Sequence, residues 1–125
     1  MSSAHPIVHV EIGSTDREAA GKFYGELFGW QINHHPEMHY TTFATGNGLG
    51  GGIFTCTDQP GQSANTVRFY VGTDDIEGTL KRAETLGGKT LMGKTEIPGV
   101  GWMAALADTT GNQVWLFTGL PGQGG

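Results

Sequence analysis

Along residues 7–12 apolar and polar side chains alternate, with Val8, Val10 and Ile12 on one face and Ile7, His9 and Glu11 on the other. That period is the mark of a strand with one face on a core. The spacing then widens to three and four through Ala19, Ala20, Phe23, Tyr24, Leu27 and Phe28, which predicts an amphipathic helix with these residues on its apolar face. Thr15-Asp16-Arg17-Glu18 reads as a capping box with Thr15 as the cap, and Gly29 as the stop. Residues 30–33, 40–45 and 51–57 read as three further strands, so the unit is βαβββ. A polar Pro/Gly-containing stretch, residues 58–65, reads as a linker. The pattern then restarts. Residues 66–72 form a strand, and Asp74 or Thr73 caps a helix running to about Leu86, with Ile76, Leu80, Ala83 and Leu86 inward. Residues 90–93, 101–107 and 112–118 close the second unit, with a turn over residues 108–111. The glycine-rich tail, residues 119–125, reads as frayed.

The two halves are also similar residue by residue. A shift of 59 positions carries Val8 onto Val67, Gly13 onto Gly72, Asp16 onto Asp75, Glu18 onto Glu77, Lys22 onto Lys81, Leu27 onto Leu86 and Gly29 onto Gly88. Such self-similarity means one supersecondary unit used twice. The expected architecture is therefore α+β: two tandem βαβββ modules, residues 7–57 and 66–118, in a single domain of 125 residues. Two copies facing each other make a cleft, and clefts bind small molecules.

Composition narrows the partners. Seven basic against 12 acidic residues give a formal net charge of −5, with no basic stripe, which argues against nucleic acid and anionic membrane. No apolar run approaches a membrane span, and the first residues carry no apolar leader pattern. A lone cysteine, Cys56, excludes an intrachain disulfide and suits a reducing, cytoplasmic location; its apolar setting reads as an inert buried thiol.

Several motifs carry a resemblance. Phe23-Tyr24-Gly25-Glu26-Leu27-Phe28-Gly29-Trp30, the strand opening with His9, Leu86-Gly87-Gly88 and Asp108-Thr109-Thr110-Gly111-Asn112 resemble the vicinal oxygen chelate superfamily, which includes glyoxalase I, bleomycin-resistance proteins and extradiol dioxygenases. Residues 95–102 and Gly50-Gly51-Gly52-Ile53 resemble a small bacterial subgroup related to lactoylglutathione lyase. The resemblance implies the glyoxalase/bleomycin-resistance fold, a curled mixed sheet around a central cup, and a homodimer. It also implies four metal-ligand positions, one on the first and one on the last strand of each module. On the first strands these fall at His9 and Arg68, and on the last strand of the second module at Trp115; the last strand of the first module holds no His, Asp or Glu. Guanidinium has no lone pair to give and indole is no ligand, so no metal and no other cofactor is expected. A second cluster, His34, His35, Glu37 and His39, is a weak surface metal candidate if the chain is extended there; a solvated loop broken by Pro36 is the plainer reading.

Alternation places Ile7, His9, Glu11, Arg68, Tyr70, Trp115 and Phe117 on the cup side. Candidate ligand-binding residues are His9, Arg68, Tyr70, Trp102, Trp115 and Phe117; candidate catalytic residues are His9 and Glu11. Plainer readings stand beside these. His9 as a hydrogen-bonded core histidine, Arg68 with Glu11 as a structural ion pair, and Trp115 with Phe117 as space filling are all compatible with the pattern, and Trp102 is either a lid or a core residue. Tyr24 and Trp30 fit helix-to-sheet packing. The first functional reading is a protein that binds a small organic molecule in an aromatic cup without metal. The second is a metal-independent isomerase or lyase using His9, and the third a metal-dependent enzyme of the lactoylglutathione lyase type.

Overall fold

A computed structural model describes residues 4–57 and 66–120. The elements run β1 (Ile7–Ser14), α1 (Arg17–Phe28), β2 (Gln31–His35), a 3-10 turn (Pro36–Met38), β3 (Tyr40–Ala44), β4 (Gly50–Thr55), β5 (Val67–Gly72), α2 (Ile76–Thr85), β6 (Lys89–Ile97), β7 (Gly101–Ala107) and β8 (Gln113–Gly119). The expected linker and most of the expected frayed tail lie outside the described residues. Gly119 still pairs with Gly101, and the Leu120 N–H donates to the Val100 carbonyl at 3.3 Å.

The chain divides into two compact units, one of residues 9–68 and one of residues 1–8 with 69–125. They correspond to the two sequence modules, except that the boundaries cut β1 after Val8 and β5 after Arg68. In the first unit the strand order is β2-β3-β4-β1, with β1 parallel to β4 and the other neighbours antiparallel. In the second it is β5-β8-β7-β6, with β5 parallel to β8 and the rest antiparallel. One helix per unit and a mixed sheet in each give the α+β class expected.

Both helices start one register away from the sequence reading. Asp16, not Thr15, caps α1 by accepting from the Ala19 N–H at 3.1 Å. Asp75, not Asp74 or Thr73, caps α2 by accepting from the Gly78 N–H at 3.0 Å. The two caps are equivalent under the 59-residue shift, and so are the hydroxyls behind them: Ser14 and Thr73 accept from the N–H groups of Asp16 and Asp75. A carboxylate three residues before an orphan N–H outcompetes a hydroxyl set one residue too early.

Helix α1 also turns a different face to its sheet. Phe23, Leu27 and Phe28 are 59%, 58% and 56% exposed, while Gly21 is buried. The approach is through glycine. A Cβ at Gly21 would stand 2.9 Å from Ile32 Cγ2, and one at Gly25 3.1 Å from Ile32 Cγ1. Small residues bring the backbone close and rotate the large apolar ones outward. Beneath the helix lie Thr41, Phe43 and Ile53, and Trp30 stacks on Phe43 at 4.7 Å between centroids. Tyr24 stacks on Trp30 at 5.6 Å, the packing role the sequence suggested.

In the second unit α2 covers Ile76, Leu80, Ala104 and Leu116, joined by Val71, Trp102 and Leu106. The other sheet face gathers Tyr70, Ala105 and Trp115 with Val8, Met92, Met103 and Phe117. Strand β6 runs on to Ile97, past the expected end at Gly93, because register shifts between Thr90 and Met92 and again between Met92 and Thr95 absorb the irregularity. In the turn after β7, Asp108 accepts from Thr110 and Asn112 through backbone and side chain. Those bonds hold its carboxyl down to about 2.

Candidate ligand-binding site

The sheet face of the first unit that turns away from α1 carries the chemistry. On β1 the alternation that sends Val10 and Ile12 one way sends His9 and Glu11 the other. Strand β3 begins with Tyr40, whose neighbours Thr41 and Phe43 are the buried residues under the helix, so Tyr40 shares the face of His9 and Glu11. Phe54 comes from β4 and Arg68 from the start of β5.

These side chains form one chain of hydrogen bonds. The Tyr40 hydroxyl donates to Glu11 Oε2 at 2.7 Å. Arg68 Nε–H donates to the other oxygen, Glu11 Oε1, at 2.8 Å. His9 Nε2 stands 2.7 Å from Tyr40 Oη. A hydroxyl has a single proton, and here it is committed to the carboxylate. Nε2 is therefore the donor in the bond to Tyr40, which assigns the neutral imidazole its proton on Nε2 and its lone pair on Nδ1. The Glu11 carboxylate is buried, with 7% of the residue exposed. It is stabilised there by the guanidinium and the phenol, as a buried charge must be. His9 and Glu11 Oε2 are 3.9 Å apart. Burial pushes the His9 imidazole below its ordinary value, and the negative Glu11 opposes part of that shift.

Flat surfaces frame the chain. The Arg68 guanidinium lies over the Phe54 ring, 4.4 Å from its centroid. The His9 and Tyr40 rings are nearly parallel, 18° apart with centroids at 6.4 Å. Tyr40 fits because of Gly52: a Cβ at Gly52 would overlap the phenol oxygen and the ring of Tyr40. Gly52 is paired with both Glu11 and Thr42 in the sheet.

The structure thus brings together His9, Glu11 and Arg68, three of the residues singled out from sequence, and adds Tyr40, Phe54 and Gly52, which the sequence reading passed over. Arg68 and Glu11 are paired, as the plainer reading held, and they also hold Tyr40. Tyr70, Trp115 and Phe117 cluster in the second unit, with the Tyr70 and Trp115 rings 5.7 Å apart. Trp102 stands apart from them. It packs on the α2 side with Val71 and Leu106, and Lys94 lies over its ring at 5.1 Å. Of the two roles left open for Trp102, this position is that of a core residue.

The histidine cluster is taken apart by local structure. His34 Nδ1 pairs with Thr41 Oγ1 at 2.9 Å and His35 Nε2 with Thr42 Oγ1 at 3.1 Å. Neighbouring residues of β3 face opposite ways, so the two rings go to opposite faces. Pro36–Met38 coils into the 3-10 turn and His39 is left-handed at φ 51. The extended face that would align His35, Glu37 and His39 does not form. Among the described residues no group of three His, Cys, Asp or Glu side chains stands close enough to hold a metal ion.

Comparison with known proteins agrees with the motifs. The family model for the bleomycin resistance protein-like N-terminal region matches residues 6–46. The anthracycline biosynthesis protein DnrV of Streptomyces peucetius is 31% identical over 141 residues, covering 92% of this chain and 51% of that protein. The putative glyoxylase CFP32 of Mycobacterium bovis is 26% identical over 123 residues, covering 86% and 43%. Among solved structures, a glyoxalase/bleomycin resistance protein/dioxygenase superfamily member from Vibrio splendidus 12B01 matches with a TM-score of 0.65 at 13% identity, covering 92% of this chain and 99% of that one. The chain is similar to members of the glyoxalase/bleomycin resistance/dioxygenase superfamily, the vicinal oxygen chelate group. It has that superfamily's fold. Methylmalonyl-CoA epimerase from Mycobacterium tuberculosis shares the fold too, with a TM-score of 0.71 at 14% identity, covering 97% and 94%. The chain spans about half the length of the curated relatives DnrV and CFP32.

The superfamily's divalent metal does not fit the residues here. Of the positions the resemblance implies, one is the His9 imidazole, whose Nε2 is committed to Tyr40, and another is the Arg68 cation, bonded to Glu11. The last strand of the unit supplies glycines, Ile53 and Phe54 at its centre. A guanidinium among the intended ligands repels a cation where three protein ligands would be needed.

Proposed function

We propose that this protein binds a small organic molecule against the His9–Tyr40–Glu11–Arg68 face, without the metal that the family resemblance implies. The observation that carries this reading is the Tyr40–Glu11–Arg68 linkage. A buried charge pair fixes a phenol and an imidazole as a preorganised polar edge beside the Phe54 ring, which is how small-molecule sites are built: apolar walls with a few oriented polar groups. A relative named for anthracycline biosynthesis supports an organic ligand. The expectation that Tyr70, Trp115 and Phe117 contact a ligand remains a separate proposal for the aromatic cluster of the second unit. The homodimer and the cytoplasmic location stay with the small-molecule reading. No helix among the described residues is long and apolar enough to cross a membrane. The test is a thermal-shift screen of aromatic and carbonyl compounds against the wild type and Tyr40→Phe. Hits that stabilise the wild type and lose their effect in the variant are the expected result; hits indifferent to Tyr40→Phe, Arg68→Met and His9→Ala alike would place binding elsewhere.

One observation favours a metal-independent isomerase or lyase as a second reading. The hydrogen-bond chain orients the His9 imidazole, burial keeps it neutral near pH 7, and a neutral imidazole in fixed tautomer suits general acid–base work. The epimerase likeness is in keeping with it at the level of fold. Turnover that His9→Ala abolishes while ligand binding persists would establish it, and equal turnover in that variant would remove it.

A further inference from the structure

An arginine in the wall of a binding site ordinarily reads as an anchor for a carboxylate, phosphate or sulfonate. Arg68 is differently placed. Its Nε–H is held by Glu11 at 2.8 Å and its guanidinium lies flat on Phe54 at 4.4 Å. The two side chains are 11% and 9% exposed, so the pair is desolvated together. An anion reaching Arg68 would also meet the carboxylate. To take the guanidinium for itself it would have to break the desolvated Arg68–Glu11 pair and deprive a buried carboxylate of that cation, a costly step. Within the pair the cation and the carboxylate cancel, and Tyr40 adds no charge. What the face offers is flat and uncharged: the Phe54, Tyr40 and His9 rings, with donors and acceptors at their edges.

We propose that Glu11 is a specificity-determining residue that makes this site accept uncharged aromatic ligands and refuse anionic ones of the same shape. The proposal rests on the reading of this face as the ligand site, and it adds the ligand's charge class. It also sets the chain apart from any relative that would use an arginine at this position to grip an acid.

The probes are N-phenyl-1-naphthylamine and its 8-sulfonate, which share one aromatic frame and differ by one anionic group; both report binding by fluorescence. The wild type is expected to bind the uncharged amine at least about tenfold more tightly than the sulfonate. Glu11→Gln frees the guanidinium for a charge-assisted bond, which should move the affinity ratio about tenfold toward the sulfonate. Glu11→Gln combined with Arg68→Met removes both charges and should restore the wild-type preference. A ratio unchanged in Glu11→Gln would overturn the selectivity while leaving the site standing. Should that variant fail to fold, the wild-type ratio decides: equal binding of the two dyes, or preference for the sulfonate, overturns the proposal. Dye binding that His9→Ala and Tyr40→Ala both leave untouched, or no binding of either dye, removes the underlying site and the proposal with it.

Discussion

Gly52→Ala is a one-carbon change with a large expected effect, because the added methyl would occupy the place of the Tyr40 phenol. Tyr40 must then move off the sheet face, since Gly52 is held in register by Glu11 on one side and Thr42 on the other. Two bonds at 2.7 Å go with it, one to a carboxylate and one to an imidazole. A bond to a charged group contributes about 1.5–3 kcal/mol and a neutral one about 1 kcal/mol, so the variant should lose about 2.5–4 kcal/mol of stability. At about 3–6 °C per kcal/mol for a chain of this size, the melting temperature should fall by roughly 8–24 °C. The same substitution in a Tyr40→Ala background has no ring to displace and should cost under about 1 kcal/mol, because Gly→Ala at an unobstructed site is neutral to favourable. Urea unfolding of the four proteins gives the coupling energy, expected at about 2 kcal/mol or more. Equal costs of Gly52→Ala in both backgrounds would refute the claim that Gly52 exists to seat Tyr40.

Other expectations follow from the same contacts. Arg68→Met leaves Glu11 buried without its cation and should destabilise by about 3–5 kcal/mol, while adding Glu11→Gln to it should recover most of that loss in the same urea titrations. His9 has a folded-state value below its ordinary 6.5. Below that pH the unfolded chain takes up a proton that the native state resists, so native stability should fall as pH drops through 6.5 and level off once the native imidazole is protonated. His9→Gln should flatten that part of the stability–pH curve measured by thermal unfolding. Asp16→Ala and Asp75→Ala should each cost about 1 kcal/mol, whereas Thr15→Ala should change little; a larger loss at Thr15 in calorimetry would restore the capping box.

Much of the fold was written in the sequence because it is repeated. Two copies of one hydrophobic pattern reinforced each strand and helix, and the shift that aligned Asp16 with Asp75 held the true caps even where the local capping box pointed to Thr15. Periodicity weighs large residues and so points to the wrong face of α1. Helix α1 meets its sheet through Gly21 and Gly25, and a glycine contact has no hydrophobic signature. On the functional side, alternation placed His9, Glu11 and Arg68 on one face, since a strand's period carries that information. Tyr40 stayed hidden because it opens a strand 29 residues beyond Glu11. The available signal was the run Gly50-Gly51-Gly52 on the neighbouring strand, which leaves space for a ring to lie across it. Trp102 could not be placed from sequence because a Pro-Gly turn precedes it and breaks the reading of phase; pairing of Trp102 with Thr118 fixes it on the α2 side.

The account turns on one substitution of chemistry, a His9–Tyr40–Glu11–Arg68 chain at positions where the family resemblance implies metal ligands. Elemental analysis of the purified protein after dialysis against excess nickel, zinc, cobalt and manganese, with His9→Ala treated in parallel, tests it most directly. The expected result is far less than one equivalent of any metal, equal in wild type and variant. One retained equivalent in the wild type, lost in His9→Ala, would contradict it.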